Sequence, residues 1–296
     1  MALLAAAALA LTACGGDDGD DPLAGGGGDG KTLVIGGADF PESGLIGEIY
    51  AQALEAKKIK VERKFGIGSR EVYYNQVKNG SIQIFPEYNG ALLAFIDKDN
   101  PASTTEQVDA ALKQKLPAEL EVLTASKAED KDALVVTKAT ADKYKLTSIA
   151  DLAPVAKDMV VGGPPEFKER KQGLVGLESV YGLKFKEFKS LDTAGPITVS
   201  NLAKGQVQAA DLFTTDAAIQ KNDFVALQDP KNVFGAQNVL PLVYKSRVDA
   251  TARGVLDAVS AKLTTEGLLA MNGEMSEKKT DPATVAKTWL GQNGLA

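Results

Sequence analysis

From Thr32 onward the apolar residues of this chain change period and change back, and that alternation limits the fold more than any other feature. "TLVIGG" (32–37) has the character of a short strand. "ESGLIGEIYAQALEAK" (42–57) then places apolar residues at 45, 46, 49, 50, 53 and 54, the spacing of one helix face. "IKVERKFG" (59–66) reads as a second strand and "SREVYYNQVKNG" (69–80) as a second helix, with Ser69 placed to cap its start and Gly80 to end it. Ser81-Ile82-Gln83-Ile84, continued by Phe85, reads as a third, buried strand. The β-α-β-α-β order predicts a parallel sheet with right-handed crossovers. An acid, an aromatic and an amide, Glu87, Tyr88 and Asn89, follow where this strand gives way to the apolar helix pattern of 91–96. In an open α/β sheet ligands bind at such strand ends.

The theme returns further on. Segments 132–138, 158–163, 183–188 and 207–213 read as strands, with helices near 165–181, 196–204 and 215–221 between them. The tail from Asp249 is mostly helical, with Trp289 and Leu290 on its core face. Two α/β units predict two lobes, with crossings near 131–137 and 238–246 acting as a pair of hinge strands. On this reading one lobe comprises 31–134 and 243–296, and the other 135–242. No repeat of fixed period occurs, and no internal segment has the apolar length of a membrane span.

Composition removes whole classes of chemistry. With 296 residues and 44% hydrophobic content the chain can bury a sizeable core, yet it has no histidine and one cysteine. A histidine general base, a Ser-His-Asp or Cys-His arrangement, a zinc cluster and a disulfide are all excluded. No enzymatic role and no cofactor or metal are expected. The net charge of −6 is concentrated at the start, since residues 1–30 hold five aspartates and no lysine or arginine, leaving about −1 for the remainder. A near-neutral body without a basic patch argues against nucleic acid. "MALLAAAALALTAC" is an apolar run too short to span a bilayer and has the character of a signal peptide (1–14). Its last four residues, Leu11 to Cys14, resemble a bacterial lipobox, in which the cysteine is lipidated. The Gly/Asp-rich run at 15–30 cannot bury apolar area and reads as a solvated tether. No basic residue precedes the apolar run, which departs from the usual pattern.

Three motifs point further. They are Gly36-x-x-x-Phe40-x-Glu42-Ser43 after the first strand, Gly66-x-Gly68-x-Arg70-Glu71 before the second helix, and Pro86-Glu87-Tyr88-x-Gly90 after the third strand. Together with "GGPPEFKERKQGLVGLESVYGLKF" and "QVQAADLFTTDAAI" they resemble the osmoprotectant-type substrate-binding proteins of ABC importers, which take up glycine betaine, choline, carnitine and similar compounds. The resemblance runs from Thr32 nearly to the end. It implies a type II periplasmic-binding-protein fold of class α/β, with mixed, mostly parallel sheets in two lobes joined by two hinge strands. It further implies a monomeric, extracytoplasmic receptor, held to the membrane by its lipid alone, that passes a small solute to permease subunits.

A quaternary ammonium has no N–H to donate, so aromatic faces must hold it. The resemblance assigns Tyr88 and Phe213 to that task, one per lobe, with Phe40, Asp39 and Phe167 nearby. Ser69, Arg70, Asn89, Thr214 and Arg170 supply donors, and Arg170 matches the position that meets a ligand carboxylate. Asn89 stands where the family commonly has threonine. Ser69 is read more as a helix cap than a ligand group, Tyr73 and Tyr74 as packing residues, and Glu87 as a structural acid. Three positions depart from the family: Ala38 replaces a frequent lysine, while Asp132 and Phe213 stand at positions of cage tyrosines. The thinner cage with an added acid widens the expected ligands to other amines, amino acids and polyol- or polyphenol-like molecules. A surface lipoprotein with a vestigial cleft is the reading outside transport. Replacing the lipobox cysteine (Cys14→Ser) is expected to release the protein from membranes, as read by fractionation; continued tight membrane association would remove the anchor.

Overall fold

The computed structural model describes residues 32–296; the expected leader, Cys14 and the tether lie outside the described residues. The chain begins with β1 (Leu33–Gly36), α1 (Pro41–Ala56), β2 (Val61–Lys64), α2 (Arg70–Lys78), β3 (Ile84–Tyr88) and α3 (Asn89–Ile96). Next come α4 (Thr105–Lys115), β4 (Leu120–Val122), β5 (Asp132–Thr137), α5 (Lys138–Tyr144), β6 (Val160–Gly163) and α6 (Leu174–Tyr181). The middle closes with β7 (Glu187–Ser190), α7 (Pro196–Ala203), β8 (Ala209–Phe213), α8 (Ala217–Lys221) and β9 (Phe224–Ala226). After β10 (Val239–Tyr244) three helices finish the chain: α9 (Ala250–Ser260), α10 (Thr265–Glu277) and α11 (Pro282–Gln292).

The strands form two five-stranded sheets of the same plan, β2-β1-β3-β10-β4 and β7-β6-β8-β5-β9. In each, three strands run parallel through helical crossovers, and a strand inserted from elsewhere in the chain runs antiparallel to its neighbours. β5 lies wholly in the second sheet and β10 wholly in the first, so boundaries at 134/135 and 242/243 would cut both strands. The chain changes sheets at 123–131 and 227–238. These connections pair with each other: Ser126 N–H donates to Val239 O, Val239 N–H to Ala128 O, and Asp130 N–H to Gln237 O.

Period-two alternation splits each strand between two cores. In β3 and β10, Ile84, Val239 and Val243 face α1, α9 and α11 through Leu45, Ile49, Leu256, Trp289 and Leu290. Phe85, Leu240 and Leu242 face α2, α3 and α4 through Val77, Leu92 and Leu112. In β5, Leu134 and Val136 join one core of the second sheet, Ala133 and Val135 the other. Each such side chain removed from water contributes roughly 1.5–3 kcal/mol, so both faces of both sheets are strongly specified.

Several elements differ from expectation. The third strand starts at Ile84 rather than Ser81 and continues through Pro86 to Tyr88. Pro86 lies opposite Pro241, a register position where neither nitrogen has to donate between the two strands. The expected helix at 165–181 is divided into a 3-10 turn at Pro165–Lys168 and α6. Gly173 sits in the break, where a Cβ would lie 2.1 Å from the Phe167 carbonyl oxygen. The strand expected at 183–188 begins only at Glu187, because Leu183 closes the end of α6, its N–H donating to Leu177 O after left-handed Gly182. The sequence reading assigned no element to α4, β4, α5 or β9. β4 and β9 are three-residue edge strands, too short to show alternation.

Gly90 joins β3 to the second connection: a Cβ there would meet the Ala236 carbonyl oxygen at 2.0 Å. Gly90→Ala must therefore push the connection away, at a cost of about 1–3 kcal/mol. Thermal denaturation is expected to show a melting temperature lowered by several degrees; an unchanged midpoint would contradict this close approach.

Candidate functional site

One cleft lies where the C-terminal ends of the parallel strands of both sheets meet, and the first lobe supplies an aromatic wall. Tyr88 is the last residue of β3, only 8% exposed, and its hydroxyl donates to Glu42 Oε1 at 2.7 Å. Glu42 Oε2 also accepts from Thr215 Oγ1 at 2.5 Å and Asn272 Nδ2 at 2.6 Å. This acid therefore ties α1 to the loop after β8 and to α10. Phe40 precedes Pro41 at the start of α1, and its ring centroid lies 6.1 Å from Tyr88 and 5.1 Å from Phe213. Beneath them Glu87, fully buried, accepts from Arg70 Nε at 2.9 Å, Arg70 Nη2 at 2.8 Å, the Tyr73 hydroxyl at 2.8 Å and the Tyr88 N–H at 2.9 Å.

The second lobe supplies carboxylates. Asp132 at the start of β5 is opposite Phe213 at the end of β8, and Asp211 lies two residues before Phe213, so all three share one face of the sheet. Phe167 is buried at the cleft floor, and Arg170 stands on the loop that divides the expected helix. Arg170 Nε and Nη2 donate across the cleft to Glu71 at 3.1 and 2.8 Å, and Glu166 lies 3.8 Å away. Burial raises the Glu71 carboxyl, but hydrogen bonds and charge from Arg170, with help from Ser69, more than offset it and leave a pKa of about 2.

Acids outnumber bases around the cleft. Asp39, Asp130, Asp132, Glu166 and Asp211 line it against Arg70 and Arg170 alone, and Ala38 brings no charge. Desolvation raises Asp132 to about 6 despite the charges of Arg170 and Arg70. Desolvation and the Glu42 charge hold Asp130 well above the usual carboxylate range, against hydrogen bonds from Thr215. The free space of the cleft, its open mouth included, is about 660 Å³. Among the described residues no group of acids, cysteines or histidines has the arrangement to hold a metal ion.

Of the residues singled out in the sequence, Asp39, Phe40, Ser69, Arg70, Tyr88, Asp132, Phe167, Arg170 and Phe213 line this cleft together. Asn89 and Thr214 do not. Asn89 is fully buried; its amide donates to Asp109 Oδ1, and its oxygen accepts from Gly90 and Asn238, stitching α3 to the connection before β10. Thr214 is exposed and bonds with Lys131 and Asp130 at the other connection. Ser69 holds the cap position of α2, but its hydroxyl donates to Glu71 at 2.7 Å instead of accepting from the helix. Tyr73, read as packing, does stack on Phe85 at 3.8 Å and also lines the cleft. Sequence reasoning missed Asp130, Glu166, Asp211, Thr193 and Gln237. Only Asp211 carried a signal, an acid inside the apolar strand "VQAADLF".

Known proteins share both sequence and fold with this chain. The profile of the family described as the substrate binding domain of ABC-type glycine betaine transport system matches residues 31–292. The ergothioneine transport permease/ergothioneine binding protein EgtU of Helicobacter pylori (strain G27) is 27% identical over 271 residues, covering 90% of this chain and 48% of that protein. The chain thus spans about half the length of that relative. The glycine betaine-binding protein YehZ of Escherichia coli (strain K12) is 29% identical over 277 residues, 88% of this chain and 90% of YehZ. A crystal structure of a glycine betaine/carnitine/choline ABC transporter superposes with a TM-score of 0.69 at 24% identity, over 89% of this chain and 99% of that one, and the shared architecture is the type II periplasmic-binding-protein fold. With its two matching sheets and the profile match over nearly the whole described length, the chain belongs to the family of substrate-binding domains of ABC-type glycine betaine transport systems.

Proposed function

We propose that this chain is a lipid-anchored, extracytoplasmic solute receptor of an ABC importer, and that its solute is a small organic cation bound between the lobes. The family and the interlobe cleft support the receptor role. The observation that carries the choice of ligand is the meeting of Phe40, Tyr88 and Phe213 with an excess of carboxylates, while both cleft arginines are already engaged. Each ring facing a desolvated cation contributes about 0.5–2 kcal/mol, and the acids add charge attraction in a cleft of reduced dielectric. A ligand carboxylate, by contrast, would have to displace Glu71 from Arg170 or approach Arg70 beside Glu87. The lobes close over the cation, and the closed form is what the permease subunits recognise. The chain acts as a monomer, without cofactor or catalysis, and its membrane contact is the lipid on Cys14, outside the described residues.

A thermal-shift screen of the purified chain against choline, glycine betaine, carnitine, ectoine, basic amino acids and aromatic polyols tests this reading. A ligand at a hundred times its dissociation constant adds about 2.7 kcal/mol, a readily measured shift. Cations are expected to respond; a response confined to anionic or neutral compounds would overturn the assignment. Tyr88→Ala is expected to weaken binding of the responding cation about tenfold or more by calorimetry, with the circular dichroism spectrum unchanged. An unchanged dissociation constant would take Tyr88 out of the site. The cleft also predicts a pH dependence. Asp132 is charged above about 6 and neutral below it, so cation attraction is present above that pH and lost as pH falls through it. The groups facing Asp132 are Arg170, Arg70, Glu166, Asp130 and Asp211, and neither arginine titrates in this range. Choline affinity is therefore expected to drop about tenfold between pH 7.5 and 5, and a flat profile would exclude Asp132 from cation binding.

A further inference from the structure

Asp211 lines the cleft from within β8 without a hydrogen-bond partner for its Oδ1. It is 2% exposed, and that oxygen is buried. The neighbouring strands bring no donor. Gly163, next to it on β6, has no side chain, and a Cβ there would sit 3.2 Å from the Asp211 Cβ. On the other side β5 contributes Asp132, another acid, on the same face. The arginine forks are turned elsewhere, to Glu87 and to Glu71. A buried carboxylate oxygen with no donor is costly, and the cost disappears when a ligand brings one.

We infer that Asp211 accepts an N–H hydrogen bond from the bound solute, so that the solute class is a protonated amine, guanidinium or imidazolium ion rather than a fully substituted ammonium. This rests on the cleft being a cation site. A quaternary head presents only C–H groups and would leave Oδ1 as it is. A cation with an N–H satisfies two adjacent groups at once, its charge against the face of Phe213 and its proton on Asp211. Burial, then the charge of Asp132, holds the Asp211 carboxyl well above its usual range, and Glu166 and Asp130 add to this while Arg170 opposes it. An arriving N–H cation opposes that effect: its charge favours the ionised carboxylate and its N–H gives the oxygen a donor.

Matched probes that differ by one methyl group test the inference. Isothermal titration of the full chain at pH 7 would compare choline with protonated N,N-dimethylethanolamine, and glycine betaine with N,N-dimethylglycine, with agmatine as a guanidinium probe. The member of each binding pair that carries N–H is expected to bind about tenfold tighter than its N-methylated partner, or agmatine to bind tighter than all four. Asp211→Leu is expected to bring the ratio within the responding pair to about one, or, where agmatine responds, to remove its advantage over choline. Quaternary members that bind as tightly as or more tightly than all three N–H probes would overturn the inference and leave the cation site standing. A preference that persists in Asp211→Leu would overturn it in the same way. Binding of none of the five would overturn the cation site itself, and this inference with it. Because the paired comparison is made on the native chain, it holds whether or not the variant folds.

Discussion

The cleft is organised around one carboxylate that water never reaches. Glu87 lies inside β3, where an ionised side chain is tolerated only if its oxygens are saturated by donors and its charge is matched. Arg70 meets both requirements with two parallel hydrogen bonds, and the Tyr73 hydroxyl and Tyr88 N–H complete the set. The arrangement locks the first turn of α2 onto the end of β3. It sets the backbone from which Tyr88 projects and draws the Arg70 fork away from the cleft. The motif arginine Arg70 is thus the counter-ion of the scaffold. Removing either partner would leave a charge buried alone, so the network behaves as a unit.

A second carboxylate carries order from one lobe to the other. Glu42 receives the Tyr88 hydroxyl, and through Thr215 and Asn272 it connects the aromatic wall with the loop after β8 and with α10. Two further contacts bridge the cleft, the Phe40–Phe213 ring pair and the Arg170–Glu71 ion pair. These bridges differ in strength. Arg170 and Glu71 keep 32% and 43% of their side-chain surface in water, so this pair contributes less than about 1 kcal/mol and can exchange readily. The Glu42 contacts are buried and hold more firmly. The two lobes are thus joined by one firm set of contacts and by one weak, water-exposed ion pair.

Much of the fold was legible because burial imposes periodicity. The alternation of strand and helix from Thr32 to Phe85, and again from Asp132 to Phe213, follows from faces that must turn inward. It led to two α/β units without any reference to contacts. Residues at strand ends were legible for a related reason: Tyr88 and Phe213 lie where a strand stops, and Asp132 lies where the antiparallel β5 starts, on the same edge of its sheet as Phe213. Two of the residues named in the sequence lie apart from the cleft lining, held by hydrogen bonding that is not local. Asn89 and Thr214 looked like ligand donors from their neighbours in sequence. Their partners, Asn238 and Asp109 for one, Lys131 and Asp130 for the other, come from segments that only the folded chain brings near.

By itself the sequence determined the strand-and-helix order, the absence of histidine chemistry and the motifs that mark this family, because these depend on residue type and short spacing. Only the tertiary structure decided which charges remain for a ligand. Arg70 and Arg170 are engaged by Glu87 and Glu71, while Asp132 and Asp211 share one face of two paired strands, diagonally placed, though separated by some eighty positions in the chain. Charge in a cleft is a sum over neighbours in space, and a sequence lists neighbours along a line.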